Sequence, residues 1–143
     1  MDQAAETRIR QGYAKQGFMA LIGAEMTALS EGACEIHLPS DQKVKQQHGL
    51  FHGGVIAALA DTAAGFAAYS VMEDGRQPLT IEFKINYLAP GLGDALVAKA
   101  QVLRAGRSIQ HLSAEVIAID GSEETLVATA LLTMKSTSAV EEI

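Results

Sequence analysis

The segment from His52 to Val71 constrains this chain more than any other. It contains seven alanines, no lysine or arginine, and one acidic residue, Asp61. Alanine is the strongest helix former, so a helix over about residues 52–71 is expected, with Gly53 and Gly54 at its start. Apolar residues occupy nearly every side of that helix, which predicts burial rather than an amphipathic surface helix. Its apolar run, Val55 to Tyr69, is short and interrupted by Asp61, whereas crossing a membrane takes roughly 18 or more continuous apolar residues.

After Pro78 the period changes. Leu79, Ile81, Phe83, Ile85 and Tyr87 alternate with Thr80, Glu82, Lys84 and Asn86, a strand pattern with its apolar face expected to be buried. The run Ala89-Pro90-Gly91-Leu92-Gly93-Asp94 reads as a turn. Three more strands are expected at about 95–104, 108–119 and 125–134, with Gly106 and Asp120-Gly121 between them. Upstream, 4–16 reads as a short helix and 18–38 carries a strand pattern, with Ala33, Glu35 and His37 alternating with Cys34, Ile36 and Leu38. Residues 39–51 read as a polar loop, and the tail from Ser136 is expected to fray. The order is strand, long helix, four antiparallel strands. One sheet buries such a helix only by wrapping around it, and the helix alanines allow a close approach. The expected class is α+β, in a single domain over residues 1–143.

The net charge of −6 argues against a nucleic-acid partner, which selects for a basic face. The single cysteine, Cys34, excludes an intrachain disulfide and a cysteine metal cluster, and reads as a small residue inside a strand. The N-terminal MDQAAETRIRQ is polar and of mixed charge, unlike a secretory signal. These features point to the cytoplasm, with no membrane partner.

Asp61 is the anomaly of the helix. Aspartate is a poor interior helix residue, and a buried carboxylate is costly unless paired. Desolvation makes a carboxylate a better base, which suits general acid–base work. The rival role is a structural carboxylate capping a backbone amide. At the helix start, unpaired N–H groups stabilise negative oxygen, and glycines let a ligand come close to them. A thioester carbonyl becoming a tetrahedral oxyanion is a charge of that kind. His52 is placed to orient the loop, contact substrate or cap the helix. His37 reads as an exposed strand residue, His48 as a loop residue and His111 as a packing residue. Their spacing matches no metal-ligand motif, and no G-x-S-x-G elbow surrounds Ser108.

The stretch His52-Gly53-Gly54 with Asp61 nine residues after the histidine, followed by Tyr87-Leu88-Ala89-Pro90 and Gly106-Arg107-Ser108, resembles the hotdog-fold acyl-CoA thioesterases of the PaaI-like and 4-hydroxybenzoyl-CoA thioesterase families. The resemblance covers about residues 12–135. It implies a hotdog fold, with Asp61 as general base or nucleophile and the Gly53 amide polarising the thioester carbonyl. It also implies that Thr80 helps to place water. Relatives often carry asparagine where this chain has Gln46, so the longer side chain alters that contact. Arg107 matches a position near the phosphates of coenzyme A, and Gly54, Lys84 and Ser108 are the other expected substrate or coenzyme A contacts. Residues 76–107 hold five basic side chains (Arg76, Lys84, Lys99, Arg104, Arg107) against Glu82 and Asp94. That excess suits a polyanion, and also suits a solvated sheet surface.

Gly53 and Asp61 are separated by about 12 Å along one helix axis. Reacting atoms must meet within about 3–3.5 Å, so one helix cannot supply both groups to one reaction. Two helices side by side in a homodimer can, and the resemblance implies such dimers, or dimers of dimers. The expected function is hydrolysis of an acyl-CoA to free acid and coenzyme A, with no metal or redox cofactor. A hotdog dehydratase or hydratase and a non-catalytic acyl-CoA-binding module are the alternatives. The acyl group is not fixed by the sequence.

Overall fold

The computed structural model describes residues 1–138. Helix α1 (Gln3–Ala14) begins at Asp2, whose carboxylate accepts the Ala5 N–H at 2.8 Å, and an Arg10–Glu6 pair one turn apart supports it. Helix α2 (Gly17–Ile22) was hidden in the stretch read as strand. It turns Met19 and Ile22 into the core and ends at Gly23. A hairpin follows, β1 (Glu25–Ser30) and β2 (Ala33–Pro39), so two strands precede the long helix, not one. The expected polar loop contains one short 3₁₀ turn, Gln42–Val44.

The long helix α3 runs Gly53–Tyr69, within the expected bounds, with His52 as its cap. Ser70 closes its far end: its hydroxyl donates to the Ala67 carbonyl and accepts the Gly32 N–H, tying the helix to the β1–β2 turn. Strands β3 (Arg76–Tyr87), β4 (Ala95–Ala105), β5 (Ile109–Asp120) and β6 (Glu123–Ser138) complete the fold. Strand β6 continues to Ser138, so Ser136, where fraying was expected, is buried in the sheet, while 139–143 lie outside the described residues.

All six strands pair antiparallel in the order β1-β2-β4-β5-β6-β3. Helix α3 lies across one face. Ala60, Ala63, Ala64, Ala67 and Ala68 on the helix meet a sheet floor with its own alanines, Ala98, Ala100, Ala114, Ala118, Ala128 and Ala130. Small residues on both surfaces let helix and sheet come close, and Leu59, Leu96, Leu112 and Val127 fill the space between. The burial is not all round: Ala57, Ala58, Asp61, Thr62 and Gly65 are half-exposed.

Strand β3 departs from its sequence pattern. It forms one edge of the sheet, and its pairing with β6 slips between Thr80 and Glu82, so that Ile81 is an extra, bulged residue. Beyond the bulge the odd residues face the helix, and Phe83 and Ile85 pack on the core. Before it the sides are exchanged. Thr80 pairs with buried Met134 and faces α3, whereas Leu79 and Ile81 are 60% and 58% exposed. Tyr87, also expected to be buried, is 51% exposed.

Candidate active site

The site is built where α3 meets β3. Asp61 lies midway along α3, half-buried rather than buried, because β3 is the last strand of the sheet and among the described residues no strand pairs with its outer edge. The Thr80 hydroxyl donates to Asp61 Oδ1 at 2.8 Å. A charge-assisted bond of this kind fixes one carboxylate oxygen and leaves the other available. The bulge at Ile81 makes the contact, since unbroken alternation would turn Thr80 away from the helix.

The second group is the start of α3. His52 Nδ1 accepts the Gly54 N–H at 2.8 Å. A ring nitrogen that accepts carries no proton, so in the neutral imidazole the proton is on Nε2. A Cβ at position 54 would lie 2.9 Å from His52 Nδ1, so glycine is what lets the histidine cap its own helix. The Tyr87 hydroxyl donates to the Gly53 carbonyl at 2.7 Å, and its ring lies against Gly53. The Gly53 N–H has no acceptor among the described residues. The helix dipole adds partial positive charge at that amide. Of the two glycines, Gly53 therefore presents the free donor and Gly54 serves the cap.

The other expected site residues are dispersed. Gln46 accepts the His48 N–H at 2.9 Å inside its own loop, and the hydrogen bond to Asp61 comes from Thr80 instead. Lys84 lies on the sheet face away from α3, where its Nζ donates to Asn86. It lines a concavity of about 600 Å³ there, with Glu35, Lys99 and Glu115, remote from Asp61. Arg107 and Ser108 are exposed on the β4–β5 turn, at the end of the sheet opposite Gly53. Arg76 begins β3 at that same end. The basic excess is thus divided between a sheet face and a sheet end.

The sequence presents Tyr87 as a strand residue and as part of the Tyr87-Leu88-Ala89-Pro90 resemblance, with no role at the site, yet it ties β3 to the first turn of α3. The available signals are a tyrosine at the end of an alternating strand and the motif that it opens. Cys34 is 1% exposed, and burial pushes its thiol up to about 12, which removes it as a nucleophile. Among the described residues no group of three or more His, Cys, Asp or Glu could hold a metal ion, and no helix is long and apolar enough to cross a membrane.

A six-stranded antiparallel sheet wrapped on one long helix, with a carboxylate on that helix and a free amide at its start, defines a hotdog-fold protein of the thioesterase type. The family model for the thioesterase superfamily matches residues 48–125, and the chain belongs to that superfamily. A solved thioesterase family protein from Silicibacter pomeroyi is similar at 34% identity and a TM-score of 0.92, over 94% of this chain and 99% of that one. The PaaI protein of the E. coli phenylacetic acid degradation operon shares the fold, at 22% identity and a TM-score of 0.84, over 94% of each chain. Among curated relatives, a putative esterase of Haemophilus influenzae is 33% identical over 62% of this chain, a match spanning 64% of that protein, a little under two thirds of its length. The 1,4-dihydroxy-2-naphthoyl-CoA hydrolase of Listeria monocytogenes is 31% identical over 66% of this chain and 76% of its own.

Proposed function

We propose that this protein is an acyl-CoA thioesterase whose active site is shared between two copies of the chain. The observation that carries the reading is the pair of half-sites, Asp61 held by Thr80 and Gly53 with a free N–H. The eight-residue step between them, about 12 Å of helix, keeps the two apart within one chain. The thioester chemistry is supported by the superfamily and by the relative named as a CoA thioester hydrolase.

The assembly is supported by the β3 edge. Twelve residues long, unpaired on one side and carrying exposed Leu79 and Ile81, it is a ready surface for strand pairing. Antiparallel pairing with a second β3, centred on Lys84 and stepping over Ile81, sets Thr80 opposite the partner's Tyr87 on the helix side of the sheet. Thr80 holds Asp61 and Tyr87 holds Gly53, so that pairing brings Asp61 beside the partner's Gly53.

In this arrangement the thioester oxygen accepts the partner's Gly53 N–H. Asp61 takes a proton from water as the water oxygen bonds to the carbonyl carbon. The tetrahedral intermediate then expels the coenzyme A thiolate, which is protonated, and leaves the free acid. Direct attack by Asp61 expels the thiolate and gives an anhydride instead, and label entering Asp61 in one turnover in H₂¹⁸O, when water opens that anhydride at the aspartyl carbonyl, marks this route. Thr80 orients the carboxylate, His52 and Gly54 shape the oxyanion turn, and Gln46 borders it. Arg107, with Ser108, meets the coenzyme's phosphates, and Lys84 adds positive charge. The chemistry asks for no metal or redox cofactor.

The test has two arms. A panel of acyl-CoA substrates is assayed for free thiol, which a hydratase or a binding module does not release. Asp61→Ala and Gly53→Pro, each verified as folded, are then co-expressed with different tags. The mixed dimer holds one intact site and recovers about half of wild-type activity, by the arithmetic of two independent sites about a two-fold axis. A folded mixed dimer that stays inactive overturns the shared site.

A further inference from the structure

The polar side chains that the fold buries lie outside the Asp61 site. Among the described residues the buried polar residues are Gln110 and Ser136, at 3% and 4% exposure. They sit on different strands and converge on one surface turn, Gly106-Arg107-Ser108. Gln110 Nε2 donates to the Gly106 carbonyl at 3.1 Å. The Ser136 N–H donates to the Ser108 carbonyl at 2.9 Å. Ser136 is itself gripped by Arg76, whose Nε donates to the serine hydroxyl at 3.0 Å and whose Nη2 donates to the serine carbonyl at 2.7 Å. Inside the turn the Gly106 N–H donates to the Ile109 carbonyl at 2.8 Å, and a Cβ on residue 106 would lie 2.7 Å from that oxygen. Backbone groups on both sides of Arg107 are therefore fixed, while Arg107 itself is exposed.

We infer that Gln110 and Ser136, with Arg76 behind the serine, are positioning residues that hold the Gly106-Arg107-Ser108 turn ready for the phosphates of coenzyme A. The inference rests on the proposed contact between Arg107 and those phosphates. Two physical arguments support it. Surface turns are ordinarily mobile, and ordering a loop on binding costs affinity that a preformed loop keeps. Gln110 is also a poor choice for stability alone. Its Oε1 is buried with no partner. The Gly106 carbonyl can accept but not donate, so the amide cannot be flipped to relieve it. A methionine of similar length would fill the space without an orphaned oxygen. A buried group that breaks a packing rule in this way is most often tied to a functional site.

The experiment compares Gln110→Met, Arg107→Ala and the double variant. KM and kcat are measured with one acyl group carried either on coenzyme A or on N-acetylcysteamine, which lacks the nucleotide, and melting is followed alongside. Gln110→Met raises KM for the acyl-CoA about three- to tenfold, the size of one net hydrogen bond. It leaves kcat and the short thioester unchanged, and melts no lower than the wild type. It adds nothing on the Arg107→Ala background, because it acts through that residue. Ser136→Ala frees Arg76 Nε and keeps the backbone bond to Ser108, so it gives a smaller rise in acyl-CoA KM with the short thioester unchanged, and serves if Gln110→Met does not fold.

Three results overturn the inference and leave the thioesterase reading standing. They are no change in acyl-CoA KM in either variant while Arg107→Ala raises it, equal losses on both substrates, or a full additive effect in the double variant. If Arg107→Ala itself leaves the acyl-CoA KM unaltered, the coenzyme contact at the turn fails, and the inference fails with it.

Discussion

Strands β5 and β3 are equally long, twelve residues each, and both alternate in sequence, yet only β5 obeys its alternation. Strand β5 lies between β4 and β6, and Gln110, Leu112, Ala114, Val116 and Ala118 all face the helix and are buried. Strand β3 has a neighbour on one side only. There a bulge is tolerated, two large apolar residues are left outside, and a threonine is carried to the helix side. Surplus residues also occur inside the sheet, at Leu103 of β4 and Val127 of β6, but the one on β3 carries a threonine to Asp61. The central strand is thus set by stability, and the edge strand is where the proposed chemistry is placed.

That contrast is sharpened first by removing the group that β3 serves. Asp61→Asn is expected to retain its circular dichroism spectrum and to lose about 10²- to 10⁴-fold in kcat, the usual cost of losing a general base. A folded variant with near wild-type turnover breaks the assignment. On β5 the matching lesion acts on stability. Leu112→Ala is expected to cost about 2–5 kcal/mol in urea unfolding, as a buried leucine truncated in a close-packed core does. Its effect on kcat should be small while the protein is folded.

A finer comparison uses one substitution type on both strands. Thr80→Val removes the hydroxyl that holds Asp61 and should lower kcat roughly tenfold or more, the scale of a hydrogen bond to a charged group. Ser113→Val on the other face of β5 should change unfolding by less than about 0.5 kcal/mol and leave kcat alone. Equal effects from the two would remove the distinction between the strands. The smallest effect concerns Cys34 on β2. With its thiol pushed up to about 12 by burial, it should resist iodoacetamide at pH 8 in the folded protein and react on denaturation. Rapid labelling of the native protein would show that the core opens there.

The same contrast explains what could be read from the sequence. Helix α3 was legible because an alanine-rich run of this length has one good conformation. Strands β4, β5 and β6 were legible because clear turns bound them and most of their length alternates, although the surplus residues Leu103 and Val127 were not visible. Helix α2 is six residues long, too short for a helical period to rise above the strand-like composition around it. The bulge at Ile81 could not be seen, because an extra residue exists only relative to the partner strand β6. Without it, Thr80 fell on the polar face and Leu79 on the core face. His52, Gly53, Gly54 and Asp61 were marked by their spacing. Tyr87 was not, since its bond to Gly53 joins residues 34 positions apart. The burial expected for Asp61 rested on its helix neighbours, whereas its exposure is decided by where the sheet ends.

In the language of insertions and deletions, Ile81 is a residue that the strand has absorbed. Counted without it, Arg76 to Tyr87 alternates with no break, and Thr80 falls on the same side as Phe83 and Ile85. Most single-residue deletions inside a strand exchange its two faces beyond the lesion. Loss of the codon for Ile81 would not, because the pairing with β6 already steps over it. Such a chain would keep Thr80 towards Asp61 and lose the local twist that the surplus residue imposes, so its cost would fall on the shape of the sheet's open edge.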